Sequence, residues 1–350
     1  MSKNVTFKQK PSIFLTPNTF EQKKILVIGQ GLAGSLLAWH LYKAGQKITL
    51  IDHPSQKAAS LAAAGIINPI TGKRIAKTNS YELYFEYAKT FYQNLEKELG
   101  RSFFFLRSIQ RIFKNKKEKE IVNRKIHELE YYSFIKDVKT DNFNICGGAL
   151  LWIPELLKTL KDYLAKKTSF IEAPFNYKSL NPNNITFQNY HFDKIIFCEG
   201  YRALCNPWFT ELPLNPAKGE TLVLSHPNYF LNHIINRGHW LLQFPDKSFR
   251  LGATYSWDPL DECTTSEARI SLLKSLPNLI NNLKKTFQYE KSLAGVRPTT
   301  KNHEPLLLQH PKHSKLFLFN GFGSKGALLI PYYCQKMLGK LSIPTTNRNE

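Results

Sequence analysis

An α/β fold is expected from this sequence. A parallel sheet built on strand–glycine turn–helix units is interrupted by an inserted α+β part with an antiparallel sheet. Three stretches carry this reading. Lys23 to Asp52 forms a complete strand–turn–helix–strand pattern ending on a carboxylate. Lys315 to Leu338 repeats the strand–glycine turn–helix order. Between them, Leu222 to Tyr255 changes to the alternation of antiparallel strands.

Lys24–Ile28 is a short apolar run suited to a buried parallel strand. Gly29, Gly31 and Gly34 follow in Gly-x-Gly-x-x-Gly spacing. The first glycine permits the tight turn, the second lets a pyrophosphate approach the backbone, and the third lets the helix pack close to the strand. Leu32 and Ala33 belong to the same turn. Leu36, Leu37, Trp39, His40, Leu41 and Tyr42 continue at helical spacing, and Gly45 sits where a helix ends. Ile48–Ile51 is a second strand. Asp52, 23 residues after Gly29, is placed to accept both hydroxyls of an adenosine ribose. The unit is Rossmann-like and predicts a bound dinucleotide.

Ser60–Arg74 is small and turn-rich, and Ala62, Ala63, Ala64 and Gly65 present little bulk to a flat cofactor. Ser80–Leu99 reads as an amphipathic helix, Phe103–Phe105 and Ile109–Phe113 as strands, and Lys116–Glu130 as a charged helix. Gly147 and Gly148 mark a turn before a helix over Ile153–Lys166. Lys194–Phe197 is a buried strand leading to Gly200, where the chain again nears the cofactor. Trp240–Phe244 and Phe249–Thr254 alternate about a Pro245–Ser248 turn, as in a hairpin, and Ser266–Lys285 is another helix. Finally, Gly321, Gly323 and Gly326 follow an apolar strand and open a helix. A nicotinamide dehydrogenase has no evident need for this second unit. A flavoprotein has one, because the far end of its larger cofactor also needs anchoring.

Composition bounds the alternatives. With 350 residues and 42% hydrophobic content, one large or two medium domains can bury a full core. No apolar run approaches the roughly 18 residues of a membrane span. Ile13–Leu15 is too short for a signal-peptide core, so residues 1–22 read as a loose extension. The five cysteines are widely spaced and form no Cys-x-x-Cys pair, which suggests no zinc site and no disulfide framework and favours a reduced, cytoplasmic protein. The net charge is +21, and Arg101 to Lys125 holds nine basic residues against two acids. Such a cluster either attracts a polyanion such as RNA or an acidic membrane surface, or is a solvated helix face in a chain from a lysine-rich proteome.

Further along, the blocks resemble a known family. Ala62–Pro69, Ile195–Gly200, Lys218–Leu224 with Gly252–Tyr255, Ala294–Leu307 and Gly321–Pro331 are similar, in order, to those of the FAD-dependent D-amino acid oxidase superfamily, which includes glycine and sarcosine oxidases. The likeness covers about residues 23–338. Its most specific parts are the Ala-Gly-Val-Arg-Pro block ending at Pro298 and the closing loop Gly321–Gly326. The nearest flavour is the oxidase domain of the bifunctional tRNA wobble-uridine methylaminomethyl enzyme. The sequence departs from the pattern at Asp52, often Glu, at Cys198–Glu199, often Ala-Thr, and at Ser324, where glycine-oxidase-like members have Arg.

The resemblance implies FAD held by Gly29, Gly31, Leu32, Ala33, Gly34, Asp52, Ala64, Gly65, Gly200, Gly323, Ser324, Lys325 and Gly326. It implies an FAD-binding domain over 23–80, 147–220 and 290–345, with a substrate domain over 81–146 and 221–289. The implied reaction is oxidation of the C–N bond of an amine or glycine-like amino acid by hydride transfer to flavin N5, then imine hydrolysis. Arg297 is implied as the arginine that grips the substrate carboxylate; otherwise it is a salt-bridged residue before Pro298. Tyr255 either donates a hydrogen bond to substrate or packs in the sheet. Lys325 either neutralises charge on the reduced flavin or is a solvated loop lysine. The partner is a small carboxylated amine or, alternatively, a carboxymethylaminomethyl group on tRNA reached through the Arg101–Lys125 cluster. A non-catalytic flavin-binding module is the remaining alternative.

Overall fold

The computed structural model describes residues 22–53, 58–188, 190–280 and 287–344. The expected extension over 1–22 lies outside these residues except for Gln22. The helices and the strands of the two principal sheets run β1 (Lys24–Ile28), α1 (Leu32–Lys43), β2 (Lys47–Asp52), α2 (Ala59–Ala62), α3 (Tyr81–Leu99), β3 (Ile109–Ile112), α4 (Lys116–Lys125), α5 (Leu129–Tyr132), β4 (Ile135–Lys136), β5 (Asn142–Ile145), α6 (Ile153–Ala165), β6 (Ser169–Glu172) and β7 (Lys194–Phe197). They continue with β8 (Ala217–Ser225), β9 (Ile234–Arg237), β10 (His239–Gln243), β11 (Phe249–Gly252), α7 (Ser266–Ser275), β12 (Gln288–Arg297), β13 (Leu306–Gln309), β14 (Leu316–Asn320) and α8 (Gly326–Lys340).

The first sheet has the order β6-β2-β1-β7-β14-β13. Its strands are parallel except for the pair β13–β14. Ile25 to Ile28 are buried, as befits a strand covered on both faces. Helices α1 and α8 pack together and bury Leu36, Leu37, Leu328, Leu329 and Met337. The two glycine-turn units at opposite ends of the chain therefore lie side by side. Helix α3 packs on α8, where the Tyr92 hydroxyl donates to the Ala327 carbonyl at 2.9 Å.

The second sheet has the order β12-β8-β11-β10-β9-β3-β5-β4. It is antiparallel except for the pair β9–β3. The expected hairpin is present as β10–β11, closed where Phe244 N–H donates to Ser248 O at 2.9 Å. Leu222, Leu251 and Leu272 form one core under α7. Strands β8 and β12 run unbroken across positions 220/221 and 289/290.

Two helices are shorter than expected. The charged helix ends at Lys125, where 3₁₀-type bonds from His127 and Glu128 reverse the chain, and the short α5 then buries Tyr131. Helix α7 ends at Ser275 and gives way to a 3₁₀ turn, Leu276–Asn278. Pro277 has no N–H to continue the ladder. The last part of that expected helix, 281–285, lies outside the described residues.

Candidate active site

A cavity of about 970 Å³ runs between the two sheets. It is lined by Gly29, Gly31, Leu32, Ala33, Asp52, Ala64, Gly65, Gly200, Arg297, Gly323, Ser324, Lys325 and Gly326, residues drawn from both ends of the chain. Two sequence-predicted residues stand outside the lining. Gly34 lies behind the turn, and Tyr255 stands at the side of Arg297.

At one end, Gly29 has φ +98° and donates its N–H to Ile51 O at 2.9 Å. A Cβ on Gly29 would meet Cys198 O at 2.5 Å, and one on Gly34 would meet Gly29 O at 1.8 Å. These glycines fix the strand–helix approach. Gly31 is the N-cap of α1 and offers no capping side chain, and no acid stands in the first turn of the helix. Its N-terminal dipole is open to an anion from the cavity. Ser60 Oγ accepts from Leu32 N–H at 3.1 Å and ties α2 to the turn.

Asp52 Oδ1 accepts from Gln30 N–H at 3.1 Å. Burial pushes the Asp52 carboxyl above its usual range, opposed by the backbone N–H groups of Gln30 and His53. Beside the turn, Gln30 Nε2 is buried and has no hydrogen-bond partner among the described residues. Glu199, another cavity residue, accepts from the Tyr177 hydroxyl at 2.5 Å and from Asn206 Nδ2 at 2.8 Å. Burial raises its pKa, and those two bonds oppose the shift.

At the other end, Gly321 and Gly323 have φ +80° and +51° and shape the closing turn. Lys325 is the N-cap of α8, which also starts without a side-chain cap or an acid in its first turn. Burial lowers the pKa of the Lys325 ammonium, with Glu304 opposing. Two helix N-termini therefore face one cavity.

The second sheet supplies the far wall. Arg297 ends β12 directly opposite Ala217. Its guanidinium lies across Gly219, where a Cβ would come 2.1 Å from Nη2, 2.4 Å from Nη1 and 2.5 Å from Cζ. Nη1 donates to Lys218 O at 3.2 Å, and Cζ sits 5.0 Å from the centre of the Tyr255 ring. Burial lowers the Arg297 pKa, and no carboxylate pairs with it among the described residues.

Sequence reasoning missed Gly219, Gln30 and Glu199. A glycine inside an apolar strand is the available signal for the first, because it marks a close approach. Gln30 occupies a free position of the glycine motif and carries no signal of its own. Glu199 stands out in the sequence only as a departure from a family pattern.

The basic cluster divides. Arg111 is buried in an ion pair with Glu118, and its Nη2 donates to Gly72 O at 2.9 Å. It adds nothing to a surface. Lys114, Lys116 and Lys119 border a separate groove of about 610 Å³ together with Arg237. None of the nine basic residues lines the main cavity. Among the described residues, no helix is long and apolar enough to cross a membrane.

These residues fit FAD. The orphaned Gln30 amide, the Asp52 carboxylate and the two helix starts whose N-cap residues offer no capping side chain match the donors and acceptors of a long dinucleotide.

Comparison with known proteins supports the fit. The chain matches the FAD dependent oxidoreductase family over residues 24–136 and 179–339. It is 24% identical to the tRNA 5-methylaminomethyl-2-thiouridine biosynthesis bifunctional protein of Acinetobacter baylyi, covering 89% of this chain and 51% of that protein, about half its length. It is 21% identical to glycine oxidase of Pseudomonas aeruginosa, covering 91% of this chain and 95% of the relative. Among solved structures, iminodiacetate oxidase of Chelativorans sp. BNC1 shares the fold, with a TM-score of 0.76 at 19% identity over 93% of this chain and 97% of that one. The chain belongs to the FAD dependent oxidoreductase family and is an FAD-binding oxidoreductase.

Proposed function

We propose that this family member oxidises the C–N bond of a glycine-like amine that carries a carboxylate, with Arg297 as the carboxylate anchor. One observation carries the proposal. The Arg297 guanidinium stands on the cavity side of the second sheet, half-buried, with no acidic partner among the described residues. Burying a guanidinium without a counter-charge is unfavourable, and a bound carboxylate supplies two parallel charge-assisted hydrogen bonds. The similar proteins named glycine oxidase and iminodiacetate oxidase act, by their names, on amines of this kind.

In this reading Asp52 accepts the ribose hydroxyls and the start of α1 receives the pyrophosphate. The small residues Ala62 to Gly65 leave room for a flat ring. Bound FAD supplies the two-electron oxidant. Arg297 fixes the substrate so that one C–H bond faces the oxidant, an orientation effect. The carbon loses hydride and the nitrogen loses a proton, leaving a C=N bond. Water then adds to that carbon and the C–N bond breaks, giving a free amine and an oxo acid. Lys325 and the N-terminus of α8 present positive charge where negative charge accumulates during the transfer.

A second reading keeps this chemistry and places the glycine unit on a tRNA wobble uridine. It is supported by the likeness to the bifunctional tRNA protein and by the basic groove of Lys114, Lys116, Lys119 and Arg237. Anaerobic flavin bleaching with glycine, sarcosine, proline and carboxymethylaminomethyl-tRNA in parallel tests both readings. Bleaching by free amino acids alone removes the tRNA reading, and no bleaching by any of them removes both. Arg297→Leu should raise the KM for a carboxylated amine by roughly tenfold to a hundredfold, the value of a charged hydrogen-bonded pair; unchanged kinetics would remove its assigned role.

A further inference from the structure

We propose that the substrate carries a planar unsaturated ring, received by an aromatic subsite of Tyr255 and Trp257 at the cavity rim. The inference rests on the amine-oxidation reading for the position of the carboxylate. It follows from strand register and exposure.

Lys218 N–H donates to Ser256 O at 2.8 Å, and Ser256 N–H donates to Lys218 O at 3.0 Å. This double bond pattern sets the two residues directly opposite each other, so their side chains share one face and their neighbours share the other. Lys218 turns to the outer face, where Nζ pairs with Asp261 at 2.5 Å. Gly219, Ala217 and Tyr255 therefore belong to the opposite face, and Trp257, in the bend after Ser256, meets Tyr255 edge-on. Arg297 shares that face, being opposite Ala217, and reaches over Gly219 to Tyr255.

Tyr255 and Trp257 touch edge-on, with centroids 5.0 Å apart and planes at 61°. They remain 52% and 60% exposed. Two large aromatic rings exposed side by side, next to an unpaired guanidinium, form an amphipathic surface in one short stretch. A carboxylate on Arg297 sets the substituent beyond it against these rings. The separation from Arg297 Cζ to the Tyr255 ring is 5.0 Å, so a ring a few bonds from the carboxylate can reach them. Such a ring covers apolar surface that the protein alone leaves wet. A methyl substituent would leave most of that surface exposed. The ring can be attached to the nitrogen or to the carbon chain, and the test separates the two.

The test uses the holoenzyme and carboxylates that cannot be oxidised at a C–N bond, with binding read from the flavin absorbance. (Benzylthio)acetate is compared with (methylthio)acetate for the nitrogen-linked case, and 3-phenylpropanoate with propanoate for the carbon-linked case. At least one ring-bearing member should bind about two- to tenfold more tightly than its partner, the range for one aromatic contact. Trp257→Ala should bring that ratio near one, and Trp257→Phe should keep most of it. Equal binding within both pairs, or a preference that survives Trp257→Ala, overturns the proposal. If the analogues are discriminated but no amine bleaches the flavin, the amine-oxidation reading fails while the subsite stands. If amines are oxidised with no ring preference, the subsite alone fails.

Discussion

Replacing Gly219 by alanine isolates the role of Arg297 without touching the arginine itself. Gly219 lies in the middle of β8, and an alanine suits extended strand backbone. The three nearest atoms to a new Cβ all belong to the Arg297 guanidinium, the closest at 2.1 Å. Nη2 must retreat by roughly 1.5 Å to reach ordinary van der Waals separation. No backbone atom is among these nearest contacts, so the strand has no reason to move. The fold should hold, with a change of less than about 1 kcal/mol and a sign toward stabilisation from the lost glycine entropy. The guanidinium should lose its bond to Lys218 O and its fixed place by Tyr255. A misplacement of about 1 Å costs on the order of a hundredfold in a positioned site, and a charged hydrogen-bonded pair is worth about 1.5–3 kcal/mol. The KM for sarcosine should therefore rise between roughly tenfold and a hundredfold, while melting temperature and FAD content stay near wild type. Steady-state kinetics with sarcosine, a thermal melt and the flavin-to-protein absorbance ratio give all three values. A KM within twofold of wild type, with FAD and stability retained, would refute Arg297 as the anchor. Collapse of the fold would instead show that the strand, and not the side chain, absorbs the new methyl.

Asp52→Asn tests the opposite end. The folded-state carboxyl pKa of Asp52 is raised, so its stability contribution is full below the unfolded pKa and is lost as pH rises through the folded one. At neutral pH the asparagine apoprotein should melt at or above wild type, while FAD binds about tenfold more weakly or worse for lack of a charged acceptor; reconstitution followed by flavin fluorescence reads this. Acidification through the raised pKa should weaken FAD binding to wild type but not to the variant. Gly34→Ala should cost about 3 kcal/mol or more and yield flavin-free protein, because the new Cβ would lie 1.8 Å from the Gly29 carbonyl oxygen, a backbone atom that cannot step aside. Wild-type stability in urea would contradict that. Glu118→Gln should cost about 3–5 kcal/mol by leaving the buried Arg111 charge without its partner; a shift in the urea midpoint too small for this would place water around the pair.

Features that depend on chain neighbours were legible in the sequence, and features that depend on cross-chain packing were not. The turn from Gly29 to Gly34, the carboxylate at Asp52 and the hairpin β10–β11 are each set within about thirty residues or fewer, so spacing alone suffices to find them. Gly219 has no such local signature. Its purpose is space for a side chain 78 positions later, and only strand register brings the two together. Arg111 reads as part of a basic cluster because Lys114, Lys116 and Lys117 follow it closely. The packing of β3 against α4 turns it inward to Glu118. The early stop of α7 follows from Pro277, a local signal that helical periodicity outweighed.

The distribution of charge along the cavity gives the site its direction. Asp52 and Glu199 line one region, and burial disfavours ionisation of both. Arg297 and Lys325 line another, and burial disfavours their charge as well. Each end therefore holds groups whose charge is costly in the free protein and which a ligand of matching polarity would compensate beyond their internal partners. Ribose hydroxyls, which donate, suit the carboxylate end. A substrate carboxylate and a ring that gains electrons suit the cationic end. A dinucleotide bound in reverse would leave both ends uncompensated. On the proposed reading, the fingerprint at Gly29–Gly34 selects cofactor orientation, and the chemistry belongs where the closing glycine loop meets the second sheet. A reversed charge at either end, such as Lys325→Glu, should consequently weaken FAD retention, although Lys325 lies nearly three hundred residues beyond the fingerprint. Undiminished FAD affinity in that variant would show that Lys325 faces solvent and adds nothing to the polarity of the cavity.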